Sequence, residues 1–294
     1  MTRTAFIAIV GRPNIGKSTI INAILDEKIA IVSSKPQTTR NRITGILTRG
    51  EDQYVFLDTP GMHIPKTKLG DYMVRTAADT ISDVDACILV VDAEPRAGNI
   101  ERTLIERIKK AGIPCILVIN KTDISNREKI AATIKLFASL HDFHAVVPIS
   151  ALKNAGIDII IEECTAFLAE SVHLYPDDIA TDQPERQIAA EIIREKVLRA
   201  ASEEIPHGTA VMIEKFEDKG RLLRISAVII CERDSHKGIL IGKDGQMLKK
   251  IGLWAREDME AFFNTKVYLD LWVKTKEKWR DSDYNLSNFG YKKD

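Results

Sequence analysis

Nothing in this sequence marks it for a membrane, a disulfide scaffold or a coat of nucleic acid. Its 42 Lys and Arg are balanced by 42 Asp and Glu, so any anionic partner must be met by a local patch rather than by the whole chain. No apolar run approaches the roughly 20 residues of a spanning helix. Its four cysteines (Cys87, Cys115, Cys164, Cys231) form no C-x-x-C pair. Reduced, buried thiols of a cytosolic protein are expected. His141 and His144 lie three apart, but zinc would need further ligands that do not follow. No repeat unites the two halves, and Met1-Thr2-Arg3-Thr4 leads straight into an apolar strand, so no leader peptide is expected. Asp177-Asp178 and Glu203-Glu204 read as solvated pairs. What remains, 45% apolar and 29% charged over 294 residues, suits an ordinary globular protein of about two domains.

Strand and helix patterns alternate over residues 1–172, the mark of a parallel sheet with crossover helices. Short apolar runs at Ala5–Val10, Tyr54–Leu57, Ala86–Val91, Cys115–Ile119 and Ala145–Pro148 predict buried strands. Helices are expected at Lys17–Leu25, Leu69–Ile81, Ile100–Ala111, Glu128–Leu140 and Ile157–Glu170. Arg49-Gly50-Glu51-Asp52 predicts a hairpin that adds one antiparallel edge strand. Residues 173–186, polar and with two prolines, read as a linker. Beyond it come a helix (Gln187–Ala201), strands Thr209–Phe216 and Leu222–Cys231, a glycine loop, a helix to about Phe263 and a strand at Lys266–Val273. This is an α+β module over 187–276, followed by a tail, 277–294.

Four motifs in order carry the chemistry. Gly-Arg-Pro-Asn-Ile-Gly-Lys-Ser at Gly11–Ser18 fits G-x-x-x-x-G-K-[ST] after a strand and before a helix. Gly11 and Gly16 let the backbone approach a polyphosphate. The N–H groups of Asn14, Ile15, Gly16, Lys17 and Ser18, with Thr19 beside them, meet it at the positive end of the helix. Lys17 would bridge the β- and γ-phosphates, and Ser18 would ligate magnesium. Asp58 of Asp-Thr-Pro-Gly can hold the metal through water, and the Gly61 N–H can meet the γ-phosphate. The loop 30–42 can add a threonine, Thr38 or Thr39. Residues 62–68 should move when that phosphate leaves.

Asn120-Lys121-Thr122-Asp123 follows an apolar strand. The Asp123 carboxylate suits the paired N–H donors of guanine, which adenine lacks. Lys121 can lie along the base, and Asn120 can tie this loop to the phosphate loop. Ser150-Ala151-Leu152 offers the Ala151 N–H to guanine O6. The position after Gly61 is Met62, whose thioether cannot orient water.

In the second half, Gly242-Lys243-Asp244-Gly245 is a G-x-x-G loop, by itself a common turn. Apolar Ile239-Leu240-Ile241 precede it, and a helix carrying Met247, Leu248 and Ile251 follows. Residues 233–250 hold five Lys or Arg, Lys249 and Lys250 among them, against two acids. Residues 266–280 also hold five against two. Trp254 falls at core spacing; Trp272 and Trp279 are open.

Taken together, G-R-P-N-x-G-K-S, Q-T-T-R at Gln37, D-T-P-G, N-K-x-D, I-G-x-x-G at Ile241 and the tail from Trp279-Arg280 to Gly290-Tyr291 resemble the bacterial Era family of translation-factor-related GTPases. The resemblance spans the chain. It implies a P-loop GTPase domain of α/β fold, mostly parallel with one antiparallel edge strand, followed by an α+β type II KH domain. It favours Thr39 over Thr38 for magnesium and counts Lys17, Thr39, Asp58 and Gly61 as catalytic. It admits potassium beside Asn14. In such domains Ile239, Ile241, Gly242, Lys243, Asp244, Gly245, Lys249 and Lys250 would meet about four nucleotides of single-stranded RNA. The implied partners are GTP or GDP, the 3′ end of 16S ribosomal RNA and the 30S subunit. The implied location is the cytoplasm, with allowance for a peripheral fraction on the inner membrane. A rival reading is an RNA-binding assembly protein that holds GTP as a structural ligand; a lesser one is a GTPase acting on a protein effector.

Overall fold

Strand residues of the first half alternate between two buried faces, as a sheet covered by helices on both sides demands. The computed structural model describes every residue except 34, 36, 202–204 and 292–294. Pro36, the Glu203-Glu204 pair and the end of the tail therefore lie outside the described residues. In chain order the elements are β1 (Arg3–Val10), α1 (Lys17–Leu25), β2 (Ile43–Arg49), β3 (Asp52–Asp58), α2 (Lys68–Ser82), β4 (Ala86–Asp92), α3 (Asn99–Ala111), β5 (Cys115–Asn120), α4 (Arg127–Ala138), β6 (Ala145–Pro148), α5 (Ile157–Cys164) and β7 (Ala169–Glu170). There follow α6 (Glu185–Ala200), β8 (Ala210–Asp218), β9 (Leu222–Cys231), α7 (Asp234–Ile241), α8 (Gln246–Phe263), β10 (Lys266–Thr275) and α9 (Asp283–Asn288).

The chain divides into two units. The first holds Met1–Val32, Thr39–Pro65 and Gly70–Asp182; the second holds Ser33–Thr38, Lys66–Leu69 and Gln183–Asp294. In the first, the sheet order is β2-β3-β1-β4-β5-β6, antiparallel only at β2–β3 along that path. Ile7, Ile9, Ile88, Val90, Ile116 and Val118 share one core with α1 and α5. Ala8, Val10, Cys87, Leu89, Leu117 and Ile119 share the other with residues of α2, α3 and α4. Each buried aliphatic contributes about 1.5–3 kcal/mol. The four cysteines are all buried and free.

Three expectations are corrected here. The last helix of this unit stops at Cys164, and Ala169–Glu170 instead pairs antiparallel with Arg3 and Thr4. This short β7 satisfies backbone at the start of β1. Residues 173–182 are packed rather than slack. Buried Gln53 accepts from the N–H groups of Leu174 and Tyr175 at 2.8 and 3.1 Å and donates to the Tyr175 carbonyl at 2.9 Å. Ile46 N–H donates to Ala180 O at 2.8 Å, which blunts the free edge of β2. Asp177 pairs with His173 at 2.6 Å, so it is not merely solvated. The polar composition suggests a tether, but Gln53 and the backbone of β2 pin it.

The second unit is a three-stranded sheet, β10-β9-β8, with β8–β9 antiparallel and β9–β10 parallel. Ile188, Ile192, Ile193 and Val197 of α6 and Ile251, Ala255 and Met259 of α8 share its core with residues of β9. The order α-β-β-α-α-β is that of a type II KH module. Helix α7 is new relative to the sequence reading, because Gly238 in its interior costs about 1 kcal/mol of helix propensity and masks it. The segment after 277 is also structured. Trp279 is fully buried, donates its indole N–H to Gly208 O at 2.9 Å and stacks with Tyr291. Trp254, expected in the core, is only half-buried.

Candidate functional site

The register of the first sheet collects the motifs at one edge. Ile9 lies opposite Asp58 and Asp92 opposite Asn120, so β1, β3, β4 and β5 end together. This is the carboxyl edge, where open α/β sheets bind ligands. The 11–18 loop leaves β1 there and enters α1 through Gly16, whose φ is 103°. A Cβ at Gly16 would sit 2.3 Å from Asn120 Nδ2, so backbone angle and space both demand glycine. No side chain caps α1, and its first N–H groups face the loop's hollow. The Asp-Thr-Pro-Gly segment closes against this loop: Met62 N–H donates to Gly11 O at 3.2 Å.

Three oxygen-bearing side chains converge beside Lys17. Ser18 Oγ donates to Asp58 Oδ2 at 2.6 Å and lies 2.8 Å from Thr39 Oγ1, which is itself 3.3 Å from Asp58 Oδ2. Asp58 is fully buried, and its Oδ1 has no hydrogen-bond partner. An orphaned carboxylate oxygen beside two hydroxyls fits a hard divalent cation with bound water. Lys17 is buried, with Nζ 3.4 Å from Gly11 O and 3.3 Å from Arg12 O. Burial pushes the Lys17 ammonium down, and the Asp58 charge partly restores it. Burial pushes the Asp58 carboxyl up, against the pull of Lys17 and of the Ser18 and Thr39 hydroxyls. Thr38 instead turns its hydroxyl to Lys35 O at 2.6 Å. Thr39 is thus the threonine brought to the cluster. Thr19 follows on α1, half-buried.

On the base side, Asn120 works in two directions. Its Nδ2 donates to Ile15 O at 2.9 Å, and its Oδ1 accepts from Ala151 N–H at 3.0 Å. The first contact is the tie to the phosphate loop expected from the sequence. The second engages the N–H assigned to guanine O6, so that donor would have to be shared. Lys121 spans the site mouth to Asn14 O at 2.7 Å. Ser150 Oγ donates to Asp123 Oδ1 at 2.6 Å and fixes the carboxylate. Leu152, next in that segment, is 78% exposed.

Two features escaped the sequence. Met62 packs into the core of the sheet, so its place after Gly61 is structural. Arg12 turns from the phosphate side to pair with Asp92 and, at 3.6 Å, with Glu101. Nothing in the spacing of the phosphate motif signals that brace. Neither His141 nor His144 has metal partners; among the described residues no cluster of His, Cys, Asp and Glu could hold a metal ion.

In the second unit the G-x-x-G loop joins α7 to α8. Gly242 has φ 71°, and a Cβ there would lie 2.7 Å from Met247 Cβ. Lys243, Asp244, Lys249 and Lys250 are exposed, and Gly245 is half-exposed. The apolar residues before the loop do not form one face. Because α7 is a helix, Ile239 and Ile241 point about 200° apart. Ile239 is 51% exposed, whereas Ile241 packs against the core.

Residues 6–121 match a family model described as a 50S ribosome-binding GTPase, and residues 204–280 match a KH domain. The chain is 49% identical to GTPase Era of Clostridium kluyveri over 99% of its own length and 100% of that protein's. It is 48% identical to GTPase Era of Ruminiclostridium cellulolyticum over 99% and 98%. Among solved structures it is similar to Era in complex with MgGDPNP and nucleotides 1506–1542 of 16S ribosomal RNA. That likeness has TM-score 0.94 and 37% identity, covering 99% of each chain. It is equally similar to an Aquifex aeolicus Era variant bound to GDP·AlF4−, with TM-score 0.94, 38% identity and 99% of each chain covered. With both halves matched in order and near half of all residues shared along the full length, this chain belongs to the GTPase Era family.

Proposed function

We propose that this protein is a GTP-hydrolysing switch that binds the 3′ end region of 16S ribosomal RNA through its KH domain and acts in assembly of the 30S subunit. The observation that carries the hydrolytic half is the meeting of Ser18, Thr39 and Asp58 beside buried Lys17, with Asp58 Oδ1 left over. These three residues would hold magnesium, a reading supported by the similarity to an Era structure in complex with MgGDPNP. The ion, when bound, neutralises developing charge on the β- and γ-phosphate oxygens. Lys17 then holds the phosphates, and the Gly61 N–H reports the presence of the terminal one. Asp123, exposed and fixed by Ser150, selects guanine: a bound base would cover its carboxylate, and adenine would offer it no donor pair, a mismatch worth up to ~10⁴-fold.

The domain boundaries we assign are 1–182 for the GTPase domain and 183–291 for the KH domain with its folded tail. The family resemblance favours the cytoplasm as its place. No helix among the described residues is long and apolar enough to cross a membrane. With Met62 in the core, unassisted turnover should be slow, on the order of 10⁻³ s⁻¹. Asn14 stands exposed at the mouth of the loop with φ 60°, and its side-chain amide oxygen is a hard donor suited to potassium. Equal turnover and equal analogue affinity in potassium and sodium buffers would remove that ion from the account.

Burial of Met62 also favours the second reading, in which GTP is held for structure. RNA that fails to raise turnover in potassium would support it. Crosslinking the protein to total cellular RNA, with a GTP analogue and with GDP, tests the main proposal. Enrichment of the 16S 3′ end with the analogue is expected; identical profiles in the two states would sink the switch.

A further inference from the structure

Helix α8 carries its charges in the wrong order for its own stability. Lys249 and Lys250 stand near its N-terminus, whereas Glu257, Asp258 and Glu260 fill its second half, with no acid in the first turn and no base in the last. The helix dipole favours the reverse order. The acidic half is used within the fold: Asp258 and Glu195 together neutralise buried Lys196, and Glu260 accepts from Val267 N–H at 3.1 Å. The basic half has no such use.

There, Trp254 lies half-buried between two cations. The Arg199 guanidinium of α6 sits 4.6 Å from the indole centroid, and Lys250 Nζ sits 4.7 Å from it. Both cations are exposed, and among the described residues neither has a carboxylate partner. One ring attracts each cation modestly, but two like charges on one indole repel. An anion shared by both relieves that repulsion. Arginine offers a planar fork for phosphate, and lysine a point charge. Leu253, 47% exposed beside them, adds apolar surface.

The surface is continuous with the clamp. Lys250 comes five residues after Gly245 and Trp254 nine, so the notch lies about 7 to 14 Å along α8 from the end of the G-x-x-G loop. A KH clamp takes about four nucleotides, and a longer strand must leave it over some face of the module. We propose that Arg199, Lys250 and Trp254 form a second RNA contact, a phosphate notch on the α6–α8 face for the strand beyond the clamp. This rests on the RNA-binding reading above.

The test uses full-length protein and two fluorescent RNAs from the 1506–1542 region of 16S rRNA. One is about four nucleotides long, and the other is about sixteen and contains it. For Arg199→Gln, which lies outside the clamp residues, affinity for the short RNA should not change. Affinity for the long RNA should fall severalfold, and its salt slope should shrink by about 0.7, the contribution of one single-strand phosphate contact. Arg199→Lys, which retains the charge, should keep the slope. Equal losses on both RNAs would overturn the notch by revealing a packing role in the clamp. No loss on either would also overturn it, including the case where the variant loses binding to anionic phospholipid vesicles instead. If wild-type protein binds neither RNA, the underlying RNA-binding reading fails first and takes the notch with it.

Discussion

Thr38 and Thr39 are neighbours with opposite duties. Only Thr39 reaches Ser18 and Asp58, whereas Thr38 bonds Lys35 O. Thr39→Ala should therefore slow GTP hydrolysis on the order of 10²-fold. Thr38→Ala should leave the rate within a few-fold, as single-turnover assays would reveal. A reversed order would place the metal ligand on the wrong residue. A second residue-scale expectation concerns His173. Its imidazolium is raised above the ordinary range, chiefly by the hydrogen bond to Glu51 O and next by the one to Asp177. A raised histidine stabilises the fold fully below its unfolded value and loses that contribution as pH rises through the folded one. His173→Asn should thus lower Tm at about pH 5.5 and make little difference at about pH 8.5. A deficit that grows toward alkaline pH would contradict the assignment. Lys17, Ser18, Asp58 and Asp123 were legible in the sequence because nucleotide chemistry fixes residue type and spacing together. The Arg12 brace and the Asn120 contact with Ala151 were not, since they join residues that no local pattern relates.

At the scale of elements, legibility followed periodicity. Strands buried on both faces read as unbroken apolar runs, and α6 and α8 end within two residues of their expected limits. Elements went unseen where the local signal is weak. Helix α7 has a glycine in its middle, β7 is two residues long, and residues 173–182 are ordered by Gln53 and β2, more than 100 positions away. The α7–α8 junction is the element on which the proposed RNA binding turns. Gly242 combines positive φ with a methyl-sized exclusion against Met247, so any side chain there must move the start of α8. Gly242→Asp adds a negative charge as well. It should reduce RNA affinity by at least about 10²-fold while nucleotide affinity holds, as parallel anisotropy titrations would measure. Undiminished RNA affinity would mean that the loop is only a turn between helices.

The whole molecule has zero net charge, yet the proposed function depends on two local fields: the amide cradle over α1 for triphosphate, and the basic start of α8 for RNA. Their coupling is a free energy, and it must be reciprocal. If the triphosphate state raises RNA affinity by some factor, RNA raises affinity for the triphosphate by the same factor. Couplings of this kind are commonly 1–3 kcal/mol, or about 5–150-fold. The decisive measurement is the Kd for a 16S 3′-end RNA in magnesium and potassium, with a non-hydrolysable GTP analogue and with GDP. Tighter binding with the analogue by about tenfold, mirrored when the analogue is titrated with and without RNA, is the expected result. The same Kd in both nucleotide states would contradict it and leave GTP a structural ligand.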